Sequence, residues 1–176
     1  MSLQSTIASG IELEFEDMSN GRWISTPYFS GKPMEPFEPN APYCRDLYTF
    51  SVGSRRYLMK IDRDPTFLQC PNELRLWQRL DREHRRYFVP IVHGDEGRFG
   101  TPPFTVSPWV PNLVTWGWGY TCPEELYGQL EIVDAIENRY NLRDLQFNKN
   151  WYVRNGRPLI VDYGCQQGQY GCQQGQ

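Results

Sequence analysis

Two β-rich runs, residues 47–52 and 55–61, are separated only by Gly53 and Ser54. A connection of two residues that includes glycine joins strands as an antiparallel hairpin, because parallel strands need a crossover of a dozen residues or more. The sequence therefore predicts an antiparallel sheet at this point. Lys60 lies near the end of the second run.

The segment after this hairpin predicts a helix that carries an acid on its apolar face. Pro71 suits the first turn of a helix. The side chains that follow at helical spacing, and so share one face, are Glu73, Leu76, Trp77 and Leu80. A carboxylate on such a face is costly unless a cation neutralises it. Two partners stay open: Lys60, or a basic residue at the helix edge such as Arg82 or Arg85.

Three further stretches have strand character. Residues 10–17 alternate apolar and acidic side chains, which predicts an edge strand, and residues 88–93 and 104–109 are strands interrupted by proline. Residues 26–43 are rich in proline and glycine, so we expect a loop there. Together with the hairpin, these stretches predict a five-stranded antiparallel sheet with one packed helix.

In the last third of the chain the sequence predicts a helix followed by a second hairpin. Thr121 and Glu124 form a capping box, and the helix that they open extends to about Tyr140. Asn155-Gly156 between two apolar runs is the strongest hairpin signal in the sequence. The hairpin leads through Leu159, Ile160 and Val161 to Asp162. A carboxylate after three apolar residues should be nearly buried, and it then needs a cation or amide donors.

Composition narrows the class of protein. The chain has 176 residues, a formal net charge of −3 and 39% hydrophobic residues, which favours one globular domain and gives no general attraction to nucleic acid or an anionic membrane. Its five cysteines form no CxxC pair, which is typical of reduced thiols, and nothing near Met1 resembles a signal peptide. We therefore expect a soluble cytoplasmic protein.

The sequence YGCQQGQ at residues 163–169 is repeated at 170–176, which predicts a tail without a hydrophobic core.

The order of these elements resembles the protein-kinase superfamily, especially its small atypical members. Residues 57–60 (YLMK) look like the strand that carries the nucleotide-binding lysine, and Glu73 looks like its helix partner. Residues 108–111 are placed like the hinge between lobes. Residues 142–153 (LRDLQFNKNWYV) resemble the catalytic loop, and residues 161–164 (VDYG) resemble the D-F-G motif.

The resemblance implies an α+β kinase-like fold in four parts. These are an irregular N-terminal segment with an edge strand at 1–45, an N-lobe at 46–107, a hinge with a truncated C-lobe of helix and β-hairpin at 108–164, and a Gln/Gly-rich repeat tail at 165–176. It also implies that ATP with Mg²⁺ binds between the lobes, against residues 107–112.

The resemblance assigns roles to individual residues. Lys60, oriented by Glu73, would hold the phosphates, and Asp162 would bind Mg²⁺. Asp144 would act as the catalytic base, unless it only caps the turn after the helix. The metal-binding asparagine is Asn148 or Asn150, since Lys149 occupies the family's spacing; we favour Asn150 because it directly precedes a strand.

Two functions remain open at this level. The first is a phosphotransferase, or at least an ATP–Mg²⁺ binder, because every charged member of the motif set is present. The second is a catalytically inactive, pseudokinase-like interaction module, because no glycine-rich loop precedes the hairpin, Leu142 replaces the catalytic-loop histidine, and the chain stops soon after the D-F-G-like motif. Such a module would bind a protein partner or a second copy through an apolar surface, for which Trp116, Trp118 and Tyr120 are candidates. A metal-dependent nuclease built on the two aspartates is disfavoured, since neither has a histidine nearby.

Overall fold

The computed structural model describes residues 2–37, 45–66, 68–111, 122–143, 145 and 150–164. These residues form an α+β fold of α-helices and antiparallel sheets. The helices are α1 (Leu3–Gly10), α2 (Gln69–Arg79) and α3 (Tyr127–Tyr140), with short 3-10 turns at His84–Tyr87, Arg98–Gly100 and Glu124–Leu126. None of the described helices is both long enough and apolar enough to span a membrane.

The strands form three sheets in the described part of the chain. A three-stranded sheet contains β1 (Ile11–Asp17), β2 (Trp23–Phe29) and β3 (Lys32–Pro33). The main sheet contains β4 (Glu35–Pro36), β5 (Arg45–Val52), β6 (Arg55–Asp62), β7 (His93–Asp95) and β8 (Phe104–Pro108), in the order β4-β5-β6-β8-β7. A separate hairpin contains β9 (Trp151–Arg154) and β10 (Arg157–Ile160).

Both predicted hairpins are confirmed. Strands β5 and β6 pair from Val52 opposite Arg55, across a turn in which Gly53 has a φ of 60°. Asn155 and Gly156 join β9 to β10 with φ values of 51° and 72°. A positive φ at both central residues is the type I′ geometry, whose twist matches that of the flanking strands.

The N-terminal region is more regular than its composition predicts. Helix α1 begins at Ser2, whose side chain accepts a hydrogen bond from the backbone N–H of Ser5 (3.1 Å), and its Ile7 is fully buried. The expected loop at 26–43 instead contributes the end of β2 and the short strands β3 and β4, while residues 38–44 lie outside the described part. Besides the expected edge strand, the N-terminal segment therefore contains a helix and three further strands, which the sequence does not predict.

The composition of the main sheet also differs from the prediction. The strand expected at 10–17 forms as β1, but it pairs with β2 in the separate sheet, so the fifth strand of the main sheet is β4. The strand expected at 88–93 is wrong. Pairing with β8 begins only at His93, and Phe88 makes a single parallel bridge to Ile160. Pro90 lies between them and cannot donate to a ladder, which explains the shift.

The interior contains two groups of buried apolar side chains, one on each side of the main sheet. The first joins α1 to the face of β6 that carries Tyr57, Met59 and Ile61. The second joins α2 and α3 to the C-terminal hairpin, and Leu76, Val133, Ile136, Trp151 and Ile160 are almost completely buried in it. Val133 and Ile136 are the buried residues of α3, whereas Thr121 of the predicted capping box lies outside the described residues.

The segment after β10 lies against the first turn of α2. The side-chain amide of Asn72 donates to the carbonyl of Gly164 (3.1 Å), and Asn72 is 3% exposed. A Cβ atom at position 164 would lie 2.6 Å from the carbonyl oxygen of Gln69, closer than real Cβ contacts come. The absence of a side chain at Gly164 therefore allows this close approach, which fixes the position of the preceding Asp162.

We predict that Gly164→Ala lowers the thermal midpoint, because the added methyl group meets backbone atoms of α2 that cannot move freely. Destabilisation of about 1–3 kcal/mol is typical of overpacking. A matched control is Gly128→Ala in α3, where nothing lies within 4 Å of the new methyl group and helix propensity favours alanine. Calorimetry of the two variants checks the contrast; equal midpoints would show that the 164 segment does not dock on α2.

Candidate functional site: a buried ion-pair network on the main sheet

Four polar side chains share one face of the main sheet. The register places Arg45 opposite Asp62 across β5 and β6, and Lys60 opposite Thr105 across β6 and β8. Directly opposed residues project to the same face, and so do residues two apart on one strand. Arg45, Lys60, Asp62 and Thr105 therefore lie on the same side of three adjacent strands, and each is at least nine-tenths buried.

Helix α2 places Glu73 over this face. Lys60 Nζ donates to Glu73 Oε1 (2.7 Å), and the Thr105 hydroxyl donates to Glu73 Oε2 (3.1 Å). Glu73 is 1% exposed, so the partners that the sequence required for an inward acid are present. Of the alternatives left open, Glu73 pairs with Lys60, while Arg85 donates to the carbonyl of Leu80 (3.0 Å).

The C-terminal hairpin brings a third segment to the same place. Lys60 Nζ also donates to the carbonyl of Val161 (2.8 Å), and the backbone N–H of Tyr163 donates to Glu73 Oε1 (3.4 Å). The Tyr163 hydroxyl donates to the carbonyl of Val89 (2.9 Å). Asp162, between Val161 and Tyr163, is therefore held beside the lysine–glutamate pair, although about a hundred residues separate it from Lys60.

Sequence reasoning missed one member of the network, Arg45. Its Nη1 lies 3.0 Å from Glu73 Oε1, and its Nη2 donates to Asp162 Oδ1 (2.5 Å). Burial acts to lower the pKa of Arg45, but Asp162 and Glu73 raise it well above its usual value. Arg45 thus bridges the helix glutamate and the aspartate of the D-F-G-like segment as a permanent cation. Apart from Asp62, the network therefore contains two cations and two carboxylates. The cations are Arg45 and Lys60, and the carboxylates are Glu73 and Asp162.

The expectation that Asp162 is nearly buried is wrong. Its side chain is 40% exposed, and Asp162 lies two residues beyond the end of β10. The cation partner expected for it is present in Arg45. Burial acts to raise the pKa of Asp162, but the charges of Arg45 and Lys60 outweigh this effect and hold that pKa well below its usual range. Asp162 is therefore an anion at neutral pH.

The backbone of Asn150 is hydrogen-bonded to the segment that contains Asp162. Its carbonyl accepts hydrogen bonds from the backbone N–H groups of Val161 (2.8 Å) and Asp162 (3.3 Å). The other residues expected at the site or at the apolar surface lie outside the described part of the chain; they are Asp144, Asn148, Trp116, Trp118 and Tyr120.

The row of side chains that contains Lys60 continues towards the predicted hinge. Leu47, Leu58 and Ser107 occupy the next positions on the same face of β5, β6 and β8, and each is half-buried. Strand β8 then ends at Pro108, and the N–H of Trp109 donates to the carbonyl of Arg56 (2.9 Å). An apolar, partly accessible surface therefore adjoins the charged network.

Asp62 lies behind the network with a different partner. The backbone N–H of Cys70 donates to its Oδ2 (3.0 Å), and Asp62 is fully buried. Burial raises the pKa of Asp62 to about 7, although the charge of Arg45 acts in the opposite direction. Burial likewise raises the pKa of the Cys70 thiol well above its ordinary value, so Cys70 is a poor nucleophile.

Within the described ranges, no three or more His, Cys, Asp or Glu side chains are grouped so that they could hold a metal ion. The chemistry of Asp162 does fit Mg²⁺ that is shared with phosphate oxygens, since Mg²⁺ is commonly held by one or two protein oxygens together with its substrate. The exposed side of the Asp162 carboxylate provides access.

Comparisons with known proteins do not assign a family. No protein-family model matches the chain, and a search of curated proteins returned no significant match.

We predict that Asp62 makes the fold less stable as the pH rises from about 4 to about 7. Its folded-state pKa lies above the unfolded value of about 3.9, so the folded state holds the extra proton in this interval. The contribution of Asp62 to the free energy of unfolding is fully present below the pKa that Asp62 has in the unfolded chain. It falls by about 1.4 kcal/mol per pH unit above that pKa and is lost by about pH 7.

Asp62→Asn provides the test, because the amide keeps an acceptor for the N–H of Cys70 and removes the titration. Urea unfolding of both proteins at several pH values should show the variant gaining stability relative to wild type as the pH rises. Parallel curves would mean that Asp62 is ionised throughout, with its charge held by Arg45.

Proposed function

We propose that this chain is a protein-kinase-like domain that binds ATP with Mg²⁺ on the face of the main sheet that carries Lys60. The supporting observation is the meeting of three segments that are distant in sequence. Lys60 Nζ contacts both Glu73 and the carbonyl of Val161, the residue before Asp162. A lysine oriented by a helix glutamate beside a metal-binding aspartate is the arrangement that phosphoryl-transfer chemistry requires in kinases.

Each residue has a role in this proposal. The Lys60 ammonium neutralises phosphate oxygens, and Glu73 fixes its position. Asp162 and Asn150 supply the oxygen ligands of Mg²⁺. The bound metal would neutralise phosphate charge and orient the terminal phosphate. Asp144 would take the proton of an acceptor hydroxyl.

The nucleoside part of ATP has a surface to pack on, where the row of side chains that contains Lys60 continues towards the predicted hinge. Leu47 and Leu58 are half-buried apolar side chains on the same face, next to Ser107 and the predicted hinge. Small-molecule sites are mostly apolar, with a few polar groups that fix orientation. In this proposal the base packs on the two leucines while the phosphates reach Lys60.

A second candidate function is favoured by one observation. Arg45 is already paired with Asp162, so the two cations and two carboxylates of the network balance without a ligand. An ion-pair network complete in itself suits a catalytically inactive, pseudokinase-like module in which the fold provides a surface for a protein partner. This candidate predicts no response to nucleotide.

We predict that millimolar ATP with Mg²⁺ raises the thermal midpoint of the wild-type protein. A ligand at a hundred times its dissociation constant stabilises the folded state by about 2.7 kcal/mol. For a domain of this size about 1 kcal/mol moves the midpoint by roughly 2–4 °C, so the shift is readily measured. Asp162→Asn should abolish the part of the shift that depends on Mg²⁺.

Matched controls separate the site from general effects on stability. Asp46→Asn removes another arginine-paired carboxylate, since Asp46 accepts from Arg63 Nε (2.6 Å), and it should keep the full shift. Lys60→Met should reduce the shift, whereas Lys32→Met at an exposed position of β3 should not. No shift in wild type would reject nucleotide binding under these conditions and favour the interaction module.

A further inference from the structure

The kinase resemblance gives no role to Arg45, the residue that contacts both carboxylates of the network. Its side chain is 5% exposed. Nη2 donates to Asp162, while Nη1 faces Glu73 at 3.0 Å and makes no hydrogen bond within the described part of the chain. A buried arginine that leaves one of its donors without a hydrogen bond is a costly arrangement, so its hold on Asp162 calls for an explanation.

The position of Arg45 follows from the strand register. It is the first residue of β5 and lies opposite Asp62, one step along the sheet from the Leu47–Lys60 pair. From there its side chain reaches both Glu73 and Asp162. Lys60 donates to Glu73 and to the Val161 carbonyl, whereas the guanidinium of Arg45 donates directly to Asp162.

The guanidinium holds Oδ1 of Asp162, one of the two carboxylate oxygens that a metal ion could use. Mg²⁺ lies about 2.0–2.1 Å from its oxygen ligands and requires near-octahedral geometry. Arg45 Nη2 is 2.5 Å from Asp162 Oδ1. A divalent cation bound to this carboxylate would lie close to the guanidinium, and two positive charges at such a short separation repel each other.

We propose that Arg45 is an internal competitor of Mg²⁺ at Asp162, so that metal binding requires the guanidinium to leave the carboxylate. The proposal rests on the function proposed above, in which Asp162 is the metal ligand. The ligand-free protein is then held in a metal-free state by its own side chain. Removal of the guanidinium should increase the affinity for divalent cations by about tenfold or more, which corresponds to about 1.4 kcal/mol.

The experiment compares wild type with Arg45→Met, which keeps the length and apolar stem of the side chain and removes its charge. Mn²⁺ serves as the probe, and the free ion is counted by electron paramagnetic resonance in titrations with and without ATP. Arg63→Met is the matched control, because Arg63 pairs with Asp46 in the same sheet but away from Asp162. Arg45→Gln is the second variant, and circular dichroism checks that each variant is folded.

The outcomes distinguish this proposal from the proposed function. Tighter Mn²⁺ binding in both Arg45 variants, but not in Arg63→Met, supports the competitor role. If the double variant Arg45→Met with Asp162→Asn loses this increase in affinity, the increase is assigned to the Asp162 carboxylate. If the gain occurs without ATP and ATP never binds, the competitor role stands and the nucleotide function fails. If wild type and the variants bind Mn²⁺–ATP equally, the nucleotide function stands and the competitor role is rejected. Absence of Mn²⁺ binding in all of them rejects both.

Discussion

The burial of one carboxylate organises this molecule. Glu73 lies between the main sheet and the C-terminal segment with 1% of its surface exposed, and an unpaired charge there would strongly destabilise the fold. Its partners come from β5, β6, β8 and the residues after β10, so strands separated by up to about a hundred residues must be in place together. The apolar groups on the two sides of the sheet supply most of the free energy of folding, while Glu73 specifies how the parts are aligned.

The sequence predicts those features that depend on local rules. Gly53-Ser54 and Asn155-Gly156 specify both hairpins, and the spacing of Glu73 to Leu80 predicts the inward face of α2. The N-terminal elements escape prediction for a physical reason. Helix α1 consists largely of small and polar residues, and β2 contains Pro27, which ordinarily argues against an inner strand. The structure tolerates Pro27 because β3 pairs only with Tyr28 and Phe29.

The position of Arg45 in the sheet could have been predicted from the turn of the first hairpin. With a two-residue turn at positions 53 and 54, each opposed pair in the hairpin has position numbers that add up to 107, so position 45 must oppose position 62. The sequence pattern predicts a strand that begins only at residue 47. Arg45 then lies outside the paired strands, and the contact between Arg45 and Asp162 cannot be predicted. The exposure of Asp162 is a different case, because it depends on where β10 ends and on what the chain beyond it covers, which is long-range information.

The contact between Gly164 and the first turn of α2 has a mechanical consequence. Gln69 leaves no room for a side chain at position 164, and Asn72 donates to the Gly164 carbonyl, so α2 and the segment that bears Asp162 are joined by direct contacts. The same helix carries Glu73, and Leu68, exposed by 39%, lies at its start. Because Glu73 belongs to α2 and Asp162 to the segment held against it, a displacement of this helix would change the distances of both carboxylates from Lys60 and Arg45.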